Sequence, residues 1–243
     1  MNNKHQVHNL IILDESGSME SIKTTIIQGF NELVQTIHGI EKQFPEQEHF
    51  ISFVSFNSLG LKVLHFMDPA SKLKQIDDKS YKPAALTPLL DAMGFSIHKL
   101  KQALKGQSNY NVLVTVLTDG AENASKEYSG SDIKKLVEEL KQNSWTFTYI
   151  GTDHDVEEIA SSLSINNTMT FEKNESDIKR MFLKEQDARA SFSSKIRFKE
   201  DTTSNYFDIA EADSAKTQEK SDDTLPPNRK TSFWQNLLGR KRK

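Results

Sequence analysis

No cysteine occurs among the 243 residues, so neither a disulfide framework nor a thiolate metal site is available. No segment approaches the ~20 consecutive apolar residues that cross a bilayer. The N-terminus offers one lysine and an apolar stretch broken by His5, Gln6, His8 and Asn9, which does not make a signal peptide. A soluble cytoplasmic protein is the expectation that follows. Net charge is only −3, which makes no case for nucleic acid as a partner. Neither a Walker A sequence nor GxGxxG is present, which disfavours nucleotide binding by those loops. The seven histidines lack HExxH or paired spacing and read as surface or packing residues. Internal repeats are also absent.

What the chain does have is distributed unevenly. Charged residues make up 27% and mean hydropathy is −0.60, with the excess polarity accumulating after about Glu185. The length suits one sizeable domain plus a tail. That domain is organised around Asp14-Glu15-Ser16-Gly17-Ser18-Met19, directly behind the apolar run Leu10-Ile11-Ile12-Leu13. The run reads as a buried strand, Gly17 breaks it into a loop, and helical spacing resumes from Ser21. One carboxylate and two hydroxyls therefore sit at alternate positions in a turn at the carboxyl end of a strand. Open α/β sheets bind ligands at that edge. Hard oxygen donors without His or Cys suit Mg2+ or Mn2+ rather than zinc. The same short polar residues also fit a plain helix cap.

Two later stretches extend the pattern. Thr87 lies in Ala85-Leu86-Thr87-Pro88-Leu89-Leu90-Asp91-Ala92, and Asp119 closes Val114-Thr115-Val116-Leu117-Thr118-Asp119-Gly120, a second strand running into an acidic turn. Together, Asp14-x-Ser16-x-Ser18, Thr87 and Asp119 resemble the metal-ion-dependent adhesion site of von Willebrand factor type A domains. The wording of both stretches is similar to that of small stand-alone bacterial and phage members, and the resemblance spans about residues 5–185. It implies that Ser16 and Ser18 bind Mg2+ (or Mn2+) directly and that Thr87 joins them when a ligand is bound. Asp14 and Asp119 would act mainly through water. The position left open would take a Glu or Asp of a partner protein, so the implied function is a protein–protein interaction module rather than an enzyme.

The rival from another class is a Mg2+-dependent phosphohydrolase with Asp14 as nucleophile. That chemistry normally has a second acid two residues on, where this chain has Ser16, and a lysine on an intervening loop. Near the candidate site, Glu15 reads as an exposed loop acid. Asp91 reads as a carboxylate in the first turn of a helix, where it favours the dipole. Glu122 and Asn123 read as ordinary members of a polar loop.

Periodicity predicts strands over Val7–Leu13, Phe50–Phe56, Leu61–Phe66, Val112–Leu117, Trp145–Ile150 and Met169–Phe171. Helices are expected from Ser21 to Gln43, after Pro88, over Asp132–Gln142 and Val156–Leu163, and from a Ser176 cap onward; Thr87 is the expected cap of the second. The four-residue link Asn57-Ser58-Leu59-Gly60 is too short for a crossover helix, so the second and third strands form an antiparallel hairpin at a sheet edge. The alternation implies a doubly wound, Rossmann-like, mostly parallel six-stranded sheet with one antiparallel edge strand and helices on both faces. Residues 5–185 would form this domain and 186–243 a largely disordered extension. At its end, Phe233, Trp234, Leu237 and Leu238 precede Arg240, Lys241, Arg242 and Lys243, an amphipathic basic segment with the composition for peripheral membrane or partner contact.

Overall fold

The computed structural model describes residues 4–152 and 155–208. Strand β1 (His5–Asp14) is buried from Val7 through Asp14, which requires cover on both faces and neighbours on both edges. It receives them from β2 (Gln47–Asn57) and β4 (Tyr110–Leu117), each paired parallel to it. Beyond β4 lie β5 (Trp145–Thr152) and β6 (Asn167–Phe171), also parallel. Beyond β2 lies β3 (Gly60–Pro69), antiparallel and half exposed. The sheet order is β3-β2-β1-β4-β5-β6, the six-stranded, mostly parallel arrangement expected from the strand–helix alternation.

Alternation along the strands separates two cores. Leu10, Ile12, Val54, Phe56, Val112, Val114, Val116, Trp145, Phe147 and Tyr149 point to one face. There they pack with α2 (Leu89–Ala103), α3 (Gly130–Lys141) and α4 (Val156–Ser162). The other face carries α1 (Lys23–Gln43) and α5 (Glu175–Phe198), which lie against each other. Phe30 of α1 stacks on Phe53 of β2 at 4.6 Å. The two helices meet so closely that a Cβ added to Gly29 would lie 2.0 Å from the Phe182 ring.

Helix starts differ from the sequence reading in three places. The first helix begins as a 3-10 segment, Gly17–Ile22, before α1 proper. Asn174 rather than Ser176 caps α5, its side chain accepting from Asp177 N at 2.9 Å. Thr87 does not cap α2; the N-cap position is Pro88, and the free amides of Leu90 and Asp91 donate instead to Glu122 Oε2 and Ser125 Oγ, at 2.9 and 3.0 Å.

The domain edge expected at residue 185 falls inside α5. The compact unit runs to Asp208, with Tyr206 and Phe207 buried. What anchors the second half of α5 is polar, which is why hydropathy lost it. Glu185 and Arg189, one helical turn apart, are each 1% exposed. Arg189 donates to Glu185 Oε1 at 2.5 Å, to Asn9 Oδ1 on β1 at 2.7 Å and to Thr115 Oγ1 on β4 at 3.0 Å; Tyr206 Oη donates to Glu185 Oε1 at 3.3 Å. The expected segment 233–243 lies outside the described residues. Among the described residues, no helix is long and apolar enough to cross a membrane.

Removing one member of a buried ion pair strands the other charge. Glu185→Ala is therefore expected to cost about 3–5 kcal/mol of unfolding free energy in urea. Replacing Glu185 and Arg189 together by Leu and Met should cost clearly less than the single change. A double variant no better than Glu185→Ala would contradict this account of α5.

Candidate metal centre

The sheet register builds the site. Leu13 pairs with Leu117, so the residues that follow, Asp14 and Thr118, emerge side by side at the carboxyl edge. Thr118 Oγ1 donates to Asp14 Oδ2 at 2.6 Å, and Ser16 N donates to Asp14 Oδ1 at 2.7 Å. The turn after β1 then places Ser16 Oγ 3.1 Å from Ser18 Oγ, and Ser18 Oγ donates to Asp119 Oδ1 at 2.5 Å.

Thr87 arrives from a different loop, held by four contacts to the first. Tyr81 Oη donates to Asp14 O at 2.7 Å, Lys82 N to Glu15 Oε1 at 2.6 Å, Ala84 N to Glu15 O at 3.0 Å, and Gly17 N to Ala85 O at 3.0 Å. The path requires Ala85 to adopt φ 64°, a left-handed conformation costly for a residue with a Cβ. Thr87 N then donates to Asn123 Oδ1 at 2.9 Å, while Asn123 N donates to Thr87 O at 3.2 Å.

All five predicted residues are thereby brought to one place. An added Cβ at Gly120 would lie 3.2 Å from Thr87 Oγ1, 3.4 Å from Ser18 Oγ and 3.9 Å from Asp14 Oδ2. Oxygens from the first loop and from the Thr87 loop face the space that the missing side chain leaves on the third. The donor set is hydroxyl and carboxylate, which fits a hard divalent cation. Among the described residues, no group of three or more His, Cys, Asp and Glu side chains forms an alternative metal cluster.

The electrostatics are strongly negative. Asp14 is fully buried and Asp119 is 4% exposed. Burial pushes the Asp14 carboxyl up to about 6, against the hydrogen bonds from Thr118 and Ser16, and the Asp119 charge adds to the rise. A cation from elsewhere in the fold enters here. Lys173 Nζ, on the turn between β6 and α5, lies 2.9 Å from Asp119 Oδ2. That oxygen has no aligned hydrogen bond, so the contact is an ion pair without hydrogen-bond geometry.

Several supporting residues were misread or missed from sequence. Glu15 is not an exposed loop acid: it is fully buried, accepting from Ser55 Oγ at 2.7 Å and pairing with Lys62 Nζ at 2.6 Å. Asp91 accepts from the backbone amides of Lys126, Glu127 and Tyr128, at 2.8, 2.9 and 2.9 Å, and so holds the third loop onto α2. Glu122 is committed to the amides of Leu90, Ala124 and Ser125 and to the Ser125 hydroxyl. Partial burial opposes ionisation of Glu122, but these donors hold its carboxyl below the usual range. From sequence, Thr118 reads only as part of a strand running into an acidic turn. Lys173 had no local signal at all, because its partner is 54 residues away in sequence (173 − 119).

The profile of the von Willebrand factor type A domain family matches residues 10–185. This chain is a von Willebrand factor type A domain protein. Solved structures share the fold at low identity. Proximal thread matrix protein 1 from the mussel byssus superposes with a TM-score of 0.51 at 14% identity, covering 74% of this chain and 45% of that one. The pilus adhesin SpaC from Lactobacillus rhamnosus GG, in its open conformation, gives a TM-score of 0.52 at 13% identity, covering 76% and 30%. The type A domain chain thus spans less than half the length of either relative. No curated protein sequence matches it.

The raised Asp14 pKa has a stability consequence. A carboxyl whose folded pKa exceeds its unfolded value favours the native state fully below about pH 4, and that contribution is lost as pH rises through about 6. In EDTA, Asp14→Asn is expected to stabilise the domain by about 1–3 kcal/mol at pH 7.5, an advantage that vanishes near pH 4. Thr118 Oγ1 keeps an acceptor in Gly120 O, at 3.1 Å. Urea unfolding at the two pH values measures the difference, and equal gains at both would refute it.

Proposed function

We propose that this type A domain binds an acidic group of a partner protein through a divalent cation, Mg2+ or Mn2+. Ser16, Ser18 and Thr87 are the direct donors in this reading, with Asp14 and Asp119 ordering water around the ion. Type A domains are generally interaction modules, and the reading is consistent with that. The observation that carries it is the convergence of Thr87 Oγ1, Ser18 Oγ and Asp14 Oδ2 on the space above Gly120. When bound, the cation would supply a hard positive centre with a free position for a carboxylate oxygen. The chain's own part is to hold neutral hydroxyls in place and to keep both carboxylates braced. Thr118 and Ser16 N orient Asp14, Ser18 orients Asp119, and Asn123 brackets Thr87 from both sides of its peptide unit.

One observation favours the phosphohydrolase reading: a lysine, Lys173, stands beside Asp119, although it follows Asp119 in the chain rather than lying on an intervening loop. Two others count against it. The position of the general acid is Ser16, and Glu122, the acid that would stand in for a paired carboxylate near Asp119, has its carboxylate filled by four donors.

Thermal and urea melts with and without Mg2+ or Mn2+ test the metal. Stability should rise by ~2.7 kcal/mol when the ion is about a hundredfold over its dissociation constant. Asp14→Ala and Asp119→Ala should lose that gain and still fold. Identical curves at saturating ion would remove the metal. Partner capture should disappear in EDTA and in Asp14→Ala. Mg2+-dependent phosphoester turnover abolished by Asp14→Asn would overturn the interaction module in favour of the enzyme.

A further inference from the structure

The ion pair at the edge of the site has a role that the adhesion-site residues alone do not predict. Asp119 Oδ1 is occupied by Ser18 Oγ, and Oδ2, on a side chain with no exposure, has no hydrogen bond. Its sole charged neighbour among the described ion pairs is Lys173 Nζ at 2.9 Å. Lys173 is not on a loose arm. Asn174 N donates to Glu172 O at 2.7 Å, Glu172 N donates to Asp177 Oδ2 at 2.6 Å, and Asn174 caps α5 through Asp177 N at 2.9 Å. These bonds fix the turn on both sides of the lysine, whose side chain remains 35% exposed. A partly solvated ammonium therefore reaches inward to a buried carboxylate from a turn that is set in place.

We propose that Lys173 is the site's own counter-ion: its ammonium neutralises Asp119 in the metal-free protein and gives up Oδ2 when a divalent cation binds. Metal affinity is then set by competition with a residue on the β6–α5 turn. This rests on the metal reading above. The physical reason is additive charge. Asp14 and Asp119 together bring at most two negative charges to one buried corner. Lysine plus a divalent ion would bring three positive charges within contact distance of one another, and like charges at a few ångströms repel strongly where water is scarce. The lysine side chain is 35% exposed and its stem is flexible, so it is the group that can leave. Linkage makes the effect reciprocal: whatever stability Lys173 lends the metal-free state is subtracted from the binding free energy of the metal.

The test uses the full chain, with Lys173→Met and the charge-preserving Lys173→Arg. Mn2+ affinity is read by calorimetric titration, and metal-free stability by urea unfolding in EDTA. Lys173→Met should be less stable than wild type in EDTA, yet bind Mn2+ at least about tenfold more tightly. At saturating Mn2+ the stability difference should close, and Lys173→Arg should stay near wild type in both measurements. Wild-type Mn2+ binding with unchanged or weaker affinity in Lys173→Met would overturn the competition and leave the metal reading intact. So would a Lys173→Met variant as stable as wild type in EDTA. Absence of Mn2+ binding in both proteins would overturn the metal reading and the competition together, even if the loss of stability in EDTA is seen.

Discussion

Two carboxylates buried at the same edge of one sheet are the constraint around which this molecule is arranged. Asp14 and Asp119 end up together because β1 and β4 are adjacent and their register sets Leu13 opposite Leu117. No apolar packing could place them there by itself, since each carboxylate would rather stay in water. The surrounding fold accommodates them with three directed donors, a threonine hydroxyl, a backbone amide and a serine hydroxyl, and with the charge of one lysine. Burial still raises the Asp14 pKa, so the accommodation is incomplete. The corner retains negative charge and faces neutral oxygens, which is the chemistry on which the cation proposal rests.

The loops bearing these groups are braced by a second tier of acids that do no ligand work. Glu15 joins the first loop to β2, to Lys62 of β3 and to the segment that carries Thr87. Asp91 and Glu122 are reciprocal: Asp91, in the first turn of α2, accepts from three amides of the third loop, and Glu122 of that loop accepts from the α2 amide of Leu90. Helix α2 therefore has its first turn capped from a distance, and the third loop has its shape imposed by that helix. Acidic residues in this region thus divide sharply by function, although all of them look alike in composition. Glu15, Asp91 and Glu122 have their carboxylates taken up by three or more donors, whereas Asp14 accepts from one hydroxyl and one amide and Asp119 from one hydroxyl.

On the face of the sheet that carries α1, α5 adds a buried ion pair to the apolar packing of Ile178, Met181, Phe182 and Phe192. Glu185 and Arg189 reach Asn9 and Thr115, polar side chains at positions of β1 and β4 where an apolar residue is usual. The same two strands that end in Asp14 and Asp119 thus carry, on their α5-facing side, the acceptors for Arg189. The helix that follows the Lys173 turn and the strands beneath the candidate site are in this way tied to one network.

The sequence alone determined the architecture and the five candidate ligands. Long apolar runs, helical spacing and short connections act locally, and a strand that ends in Asp-x-Ser-x-Ser or in Thr-Asp-Gly carries its site residues at its own end. The six-stranded, mostly parallel sheet, its antiparallel edge and the meeting of Asp14, Ser16, Ser18, Thr87 and Asp119 were legible for that reason. Only the tertiary structure decided which charges are buried and what they hold. Glu15 read as a solvent-facing acid because its partners, Ser55 and Lys62, are 40 and 47 residues away. The second half of α5 read as the start of a tail because its anchors, Glu185 and Arg189, have the composition of surface residues until Asn9 and Thr115 are beside them. Lys173 carried no signal, since an ion pair depends on the distance between two charges in space and not on either residue's neighbours in the chain.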